Sequence, residues 1–394
     1  MAAALVVVLG GALPLQAAPS NYEALRLLTE ALHEISQKFV TPKKEGEMLD
    51  GALRGMVNSL DPDSSFLTPE EYADYQKGAK GYAAEAGLEL VFKDHVLTAV
   101  SVLDEGPAAR AGMKAGDHIL KIDGQLIRNL TTQEGMRRFQ GPAGKNLKLQ
   151  VLRNGLVKPL DLTLVLEPLG PPRLSFLVLK DGYAYIRIPY FSDEVPGELA
   201  KVLNQVKHQT PPVKGLILDL RNNARGTLEQ SVKTASLFIG GKEVVTTKGR
   251  LSGTDEKFTG SPQNLALKPG TPLVILVDQG TARAAEILTA ALRHYGLGVT
   301  LGAKTFGLCG VTRAMPLQDG SALLMTVAYC YTPGGKKISG QGLEPDVEGV
   351  KPGEGAAQHT GPAPPPDKDP WVLQALELLK SGKAAQLAKS APAY

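Results

Sequence analysis

Apolar residues recur at helical spacing over the first part of the chain, at Leu25, Leu28, Leu32, Ile35 and Phe39, then at Met48, Leu49, Leu53, Met56 and Leu60. This period predicts two amphipathic helices separated at Pro42. The segment SLDPDSSFLTPEEYADYQ follows. Asp61-Pro62-Asp63 is turn chemistry. Thr68 reads as a helix N-cap, with Pro69 at the first helical position and Glu71 three residues after the cap. Ahead of these helices, residues 1–15 are almost wholly apolar, too short to span a bilayer, and are followed by Ala17-Ala18. They read as the core of a secretory signal over 1–18, although no Lys or Arg precedes the run. A buried N-terminal helix is the alternative.

The pattern changes over 85–168. Short strand-like runs (88–92, 96–102, 118–122, 147–152, 160–166) are separated by turns such as Asp123-Gly124 and Asn154-Gly155. One helix is signalled from Thr131 to Phe139 and stopped by Gly141-Pro142. Pro168-Leu169-Gly170-Pro171-Pro172 marks a boundary. Beyond it, apolar runs at 183–188, 215–220, 272–277 and 299–301 alternate with helices over 194–207, 228–238 and 283–294. That is the signature of a parallel sheet buried on both faces. A β-hairpin is expected from 311–317 and 322–331 around Asp319-Gly320. After Val350 the chain turns to Lys, Pro, Gly and Gln, a linker, before one amphipathic helix from Pro370 to about Leu387.

Composition narrows the function classes. Lys and Arg number 43 against 40 Asp and Glu, a formal net charge of +3, and aromatics are 5%. This is neither a basic footprint nor a stacking platform, so nucleic acid is not an expected partner. Two cysteines and six histidines exclude a disulfide-dense scaffold, an all-cysteine zinc site and an iron–sulfur protein. No metal-ligand spacing occurs, and no cofactor is expected. After residue 18 no apolar run approaches the length of a membrane span.

Several segments together resemble the C-terminal processing (tail-specific) serine peptidases with an inserted PDZ domain. They are SLDPDSSFLTPEEY (59–72), GPAARAGMKAGDHILKIDGQ (106–125), LILDLRNN (216–223), AEILTAAL (285–292), GAKTFG (302–307), PLQDGSALLMTVAYCYTPGGKKISGQGLEPDV (316–347) and DPWVLQAL (369–376). The resemblance is collinear over about 21–380. It implies an α/β (α+β) fold: a ClpP/crotonase-like αββ-spiral core at 172–350 and a helical N-terminal cap at 19–84. The PDZ domain would occupy 85–168, and the linker and C-terminal helix 351–394. Gly87-Leu88-Glu89-Leu90 stands where the family's carboxylate-binding loop lies. Backbone N–H groups there can cap a peptide C-terminus while the adjacent strand edge pairs with the peptide.

The family's chemistry is a Ser–Lys dyad with a backbone oxyanion site. Carried over residue by residue, the nucleophile position holds Arg283 and the lysine position Leu308. A glutamine that often orients the lysine is Thr312, and the Gly-Gly pair of the oxyanion region is Arg225-Gly226. Of the nearby reactive groups, Thr281 and Lys304 match places where the family carries such residues without using them. Cys309 could act only as a thiolate in the field of Arg283, with His294 the nearest histidine in sequence. Asp219, Glu286 and Asp346 read as structural or solvated charges.

The expected function is therefore a non-catalytic pseudopeptidase, exported to the periplasm or envelope, that binds unstructured peptides or protein C-termini. An active peptidase relative is a further candidate partner. Two alternatives stand beside it: an active serine-type or Cys309-dependent endopeptidase of envelope proteins, and a structural envelope protein. A two-residue turn at Asp319-Gly320 would set Cys309 opposite Cys330 in a non-hydrogen-bonded pair, although Pro316 would then stand at a hydrogen-bonded position it cannot fill. With export, a disulfide between the two is expected.

Overall fold

The computed structural model describes residues 21–77, 84–93, 96–127, 132–170, 174–251, 253–262, 265–350 and 364–390. The expected signal at 1–18, the helix start at Thr131 and most of the linker lie outside the described residues. The chain divides into two compact units, Met1–Leu53 and Arg54–Tyr394, and the boundary falls within the helix Glu45–Asn58. In the first unit the helix Asn21–Lys38 keeps Leu28 and Leu32 half-buried, whereas Leu25, Ile35 and Phe39 are exposed.

The second unit is built on three main sheets. The central one has six strands in the order Ser175–Val178, Ala184–Arg187, Leu216–Asp219, Leu273–Val277, Val299–Gly302 and Val347–Glu348. Its first pair is antiparallel and the rest are parallel. Sequences such as LILD and LVILV are continuously apolar because both faces are covered. Leu216, Leu218, Ile275 and Val277 pack against the helices Val195–His208, Leu228–Ile239 and Ala284–His294. Ile217, Val274 and Leu276 instead meet Val372, Leu376 and Leu379 of the C-terminal helix Pro370–Lys380. That C-terminal segment is two helices, not the single one expected. Gly382, at φ 73°, ends the first turn run, and Lys383–Ser390 begins anew.

A second sheet joins Ser65–Leu67, Ala322–Tyr331, Glu243–Gly249 and Glu256–Thr259, with Gly310–Pro316 also paired to Ala322–Tyr331. The strands over 243–259 carry too few apolar residues to announce themselves by period, and Ser175–Val178, although mostly apolar, is only four residues long. The third sheet, over 88–165, runs Leu88–Lys93, Val96–Val102, His118–Ile122, Asn146–Leu152 and Leu160–Val165, with the helix Thr132–Arg138 packed on its edge.

The hairpin corrects the expected register. The Leu317 N–H donates to the Ser321 carbonyl at 2.8 Å, so Gln318-Asp319-Gly320 is a three-residue loop with Gly320 at φ 86°. Pro316 then faces Ala322, one step from that bonded pair, where its missing N–H costs no ladder bond. A bulge between Val311 and Thr312 restores the one-residue shift. Cys309 and Cys330 are disulfide-bonded, and the Cys330 N–H donates to the Cys309 carbonyl at 3.2 Å. The pair therefore carries a ladder hydrogen bond, contrary to the non-hydrogen-bonded pair expected.

Candidate active site

The site forms where the strand Leu273–Val277 turns into the helix Ala284–His294. Asp278 organises the turn: its Oδ1 accepts the N–H groups of Gly280 at 3.0 Å and Asn222 at 2.8 Å. Thr281 Oγ1 accepts the Asp278 N–H and donates to the Leu220 carbonyl, both at 2.9 Å. Arg283 then caps the helix at φ 52°, ψ −118°, a strained conformation for a residue with a Cβ, costing of order 1–3 kcal/mol. Such a strand-to-strained-turn-to-helix elbow is the geometry that lifts a nucleophile out of a sheet. Here it presents a guanidinium. Its Nη2 donates to Asp63 Oδ1 at 2.7 Å. Burial pushes the Asp63 carboxyl upward, and the Arg283 charge pulls against that shift.

Leu308 lies opposite, and its carbonyl accepts the Arg283 N–H at 3.0 Å. Its side chain is buried in an apolar cluster with Val91, Val100, Ala224 and Ala282. The loop carrying it is held by Glu286, at the third position of the helix. Glu286 accepts the Thr305 hydroxyl and the N–H groups of Gly307 at 2.8 Å and Leu308 at 3.0 Å. Complete burial raises its carboxyl to about 7 despite these bonds. A cavity of about 520 Å³ adjoins the site, bordered by Leu60, Asp63, Phe92, Phe306, Leu308 and Lys337.

Arg225 and Gly226 stand beside this turn. Gly226 sits at φ 134°, and a Cβ there would lie 2.4 Å from Phe191 Cβ, so only glycine fits. Arg225 reaches the 85–89 segment, with Nε 2.6 Å from Glu89 and Nη1 and Nη2 3.1 and 3.2 Å from Glu85. Among the described residues, Leu88–Lys93 is the last strand of its sheet, so its outer edge offers backbone groups to an added strand. Leu88 and Leu90 point into the core beneath, Gly87 turns at φ 73°, and Glu89 points the other way.

The model of Peptidase family S41 matches residues 182–349, and that of the PDZ domain matches 85–164. The carboxy-terminal-processing protease of Bartonella bacilliformis is 31% identical over 330 residues, covering 83% of this chain and 75% of that protein. The carboxyl-terminal-processing protease of Synechocystis is 33% identical over 368 residues, covering 91% and 84%. This chain is a carboxy-terminal-processing protease family member, of peptidase family S41. The solved photosystem II D1 C-terminal processing protease is similar in fold, with a TM-score of 0.68 and 25% identity over 82% of this chain and 92% of that one.

Within this S41 chain the other reactive groups are engaged elsewhere. The Thr281 hydroxyl is part of the turn, Cys309 is in the disulfide, and Lys304 pairs with Glu344 at 2.6 Å. His294 lies at the far end of the helix that Arg283 opens. Thr312 sits at the hairpin bulge, opposite Thr326. Asp219 and Glu286 are buried and Asp346 is half-buried, and donors surround each of the three carboxylates. Asp219 accepts from Tyr185 at 2.8 Å and from Arg221 and Arg187. Burial alone would raise its carboxyl, but those two guanidinium groups hold it low. Asp346 accepts Arg293 Nε at 2.7 Å. Among the described residues no group of three acidic, His or Cys side chains could hold a metal, and no helix is long and apolar enough to cross a membrane.

Two residues of the S41 site escape a reading of the sequence. Asp63 looks like turn chemistry yet anchors Arg283 from 220 positions away. Asn222, at φ 55°, accepts the Val102 N–H at 2.8 Å and donates to the Val102 carbonyl, replacing a strand partner. The doubled asparagine of LRNN was a signal, but its target lies in a different sheet.

Proposed function

We propose that this S41 chain captures extended peptides or protein C-termini through its PDZ groove and does not hydrolyse them. The observation that carries the reading is the pairing of Arg283 at the elbow with Leu308 in an apolar cluster. A guanidinium stays protonated and has no lone pair for attack, and a leucine accepts no proton. Groove binding is supported by the open edge of Leu88–Lys93 beside the helix Thr132–Arg138 and by the PDZ match. The proposed place of action is the periplasm or cell envelope, where a disulfide such as Cys309–Cys330 persists. An active relative of the same family is the proposed partner, with captured peptides passed to it.

The test has two arms on purified protein. Incubation with an unstructured protein should give no cleavage; hydrolysis lost on Thr281→Ala or Cys309→Ser would instead establish an active endopeptidase. Titration with C-terminal tail peptides should give saturable binding that disappears when the terminal carboxylate is amidated. Absence of any binding would leave a structural envelope protein.

A further inference from the structure

The residues that stand in place of the dyad and oxyanion chemistry share a second property. Arg225 and Leu308 both reach out of the central core into the PDZ domain. Arg225 spends its whole donor fork there, on Glu89 and on both oxygens of Glu85, while its guanidinium lies 5.3 Å from the Tyr190 ring centroid. Leu308 is buried with Val91 and Val100 of the PDZ domain and Ala224 and Ala282 of the core. Side chains alternate along a strand. Leu88, Leu90 and Phe92 of the edge strand therefore fill the PDZ core, while Glu89 and Val91 project from its back onto the disused cleft. Beside this contact the Asn222 carboxamide holds both backbone groups of Val102, and Arg187 pairs with Asp104.

We propose that the cleft has become a seat for the PDZ domain, with Arg225 as its latch and Leu308 as its apolar plug. The seat holds the PDZ domain by the strand whose free edge would take a peptide. The chemistry of the latch is particular. Three nitrogens in a planar fork match two carboxylates at once, which a lysine cannot do. Without the guanidinium, Glu85 and Glu89 would face each other in a half-buried place and repel. A lysine at 308 would bring an ammonium among Val91, Val100, Ala224 and Ala282, at a desolvation cost that opposes docking. Seat and latch are independent of whether the groove binds peptide.

Amide hydrogen exchange on the full chain tests this. In Arg225→Glu, exchange over 96–102 and 220–226 should quicken by about tenfold, while the helix Ala284–His294 keeps its protection. Placing Glu85→Arg and Glu89→Arg in the same chain should restore slow exchange. Should Arg225→Glu fold poorly, the milder Glu85→Gln/Glu89→Gln chain should show the same local opening. Unchanged exchange over both segments would overturn the latch, as would uniform quickening that the charge swap does not reverse. Tail-peptide titration run alongside separates this outcome from that of the peptide-binding reading.

Discussion

Arg283 holds two opposed contributions in one residue. Its backbone is strained at φ 52°, and its side chain supplies the ion pair that partly compensates the desolvation of the half-buried Asp63. Substituting alanine removes the ion pair and keeps the strain; substituting glycine removes both. We therefore expect Arg283→Ala to lose about 1–3 kcal/mol, below the full cost of an orphaned buried charge because the guanidinium side chain is 30% exposed. Arg283→Gly should be more stable than Arg283→Ala by about 1 kcal/mol, measured by urea unfolding. Glu286 gives a pH signature. Its folded carboxyl is raised to about 7 from the ordinary glutamate value of 4.5, so the folded state binds the extra proton between those values. The stability this contributes is full below about 4.5 and is lost as pH rises through about 7. Glu286→Gln should flatten the melting temperature over that window; an unchanged slope would refute the assignment.

At the scale of elements, the hairpin shows how local errors cancel. A three-residue loop and a bulge each move the register by one residue, and the cysteines still meet. The bridge closes a sequence separation of 21 residues next to Leu308. Reduction, or Cys309→Ser with Cys330→Ser, should lower stability by about 3 kcal/mol, read as a shift in the denaturant midpoint with and without reductant. Thiol titration of the denatured, unreduced protein should find no free thiol. The bulge could not be read from the residues, since its extra residue, Val327, is an ordinary strand residue. Neither could the break in the last helix be read with certainty from Gly382, because an isolated glycine inside a helical period is tolerated.

At the scale of the whole molecule, the cap loop, the PDZ domain and the core converge on one site from widely separated parts of the sequence. Asp63, Val91, Asn222, Arg283 and Leu308 illustrate the spread. Repair of the dyad alone, Arg283→Ser with Leu308→Lys, should therefore give little or no hydrolysis of an unstructured protein, because Leu308 is buried under Val91 and Val100. Adding Arg225→Gly should raise whatever activity the repair gives; if repair alone is fully active, the closed seat has no role. The sequence by itself determined the family resemblance, the alternation of strands and helices in the core and the identity of the four changed positions, because periodicity and collinear motifs are local and need no contacts. Only the tertiary structure decided what those changed side chains touch. Arg225 and Glu89 are 136 residues apart and Arg283 and Asp63 are 220 apart, and no local pattern encodes a partner at such distance. Burial likewise decided between the structural and the solvated reading of Glu286 and made it the anchor of the Leu308 loop, since desolvation depends on every neighbour that excludes water.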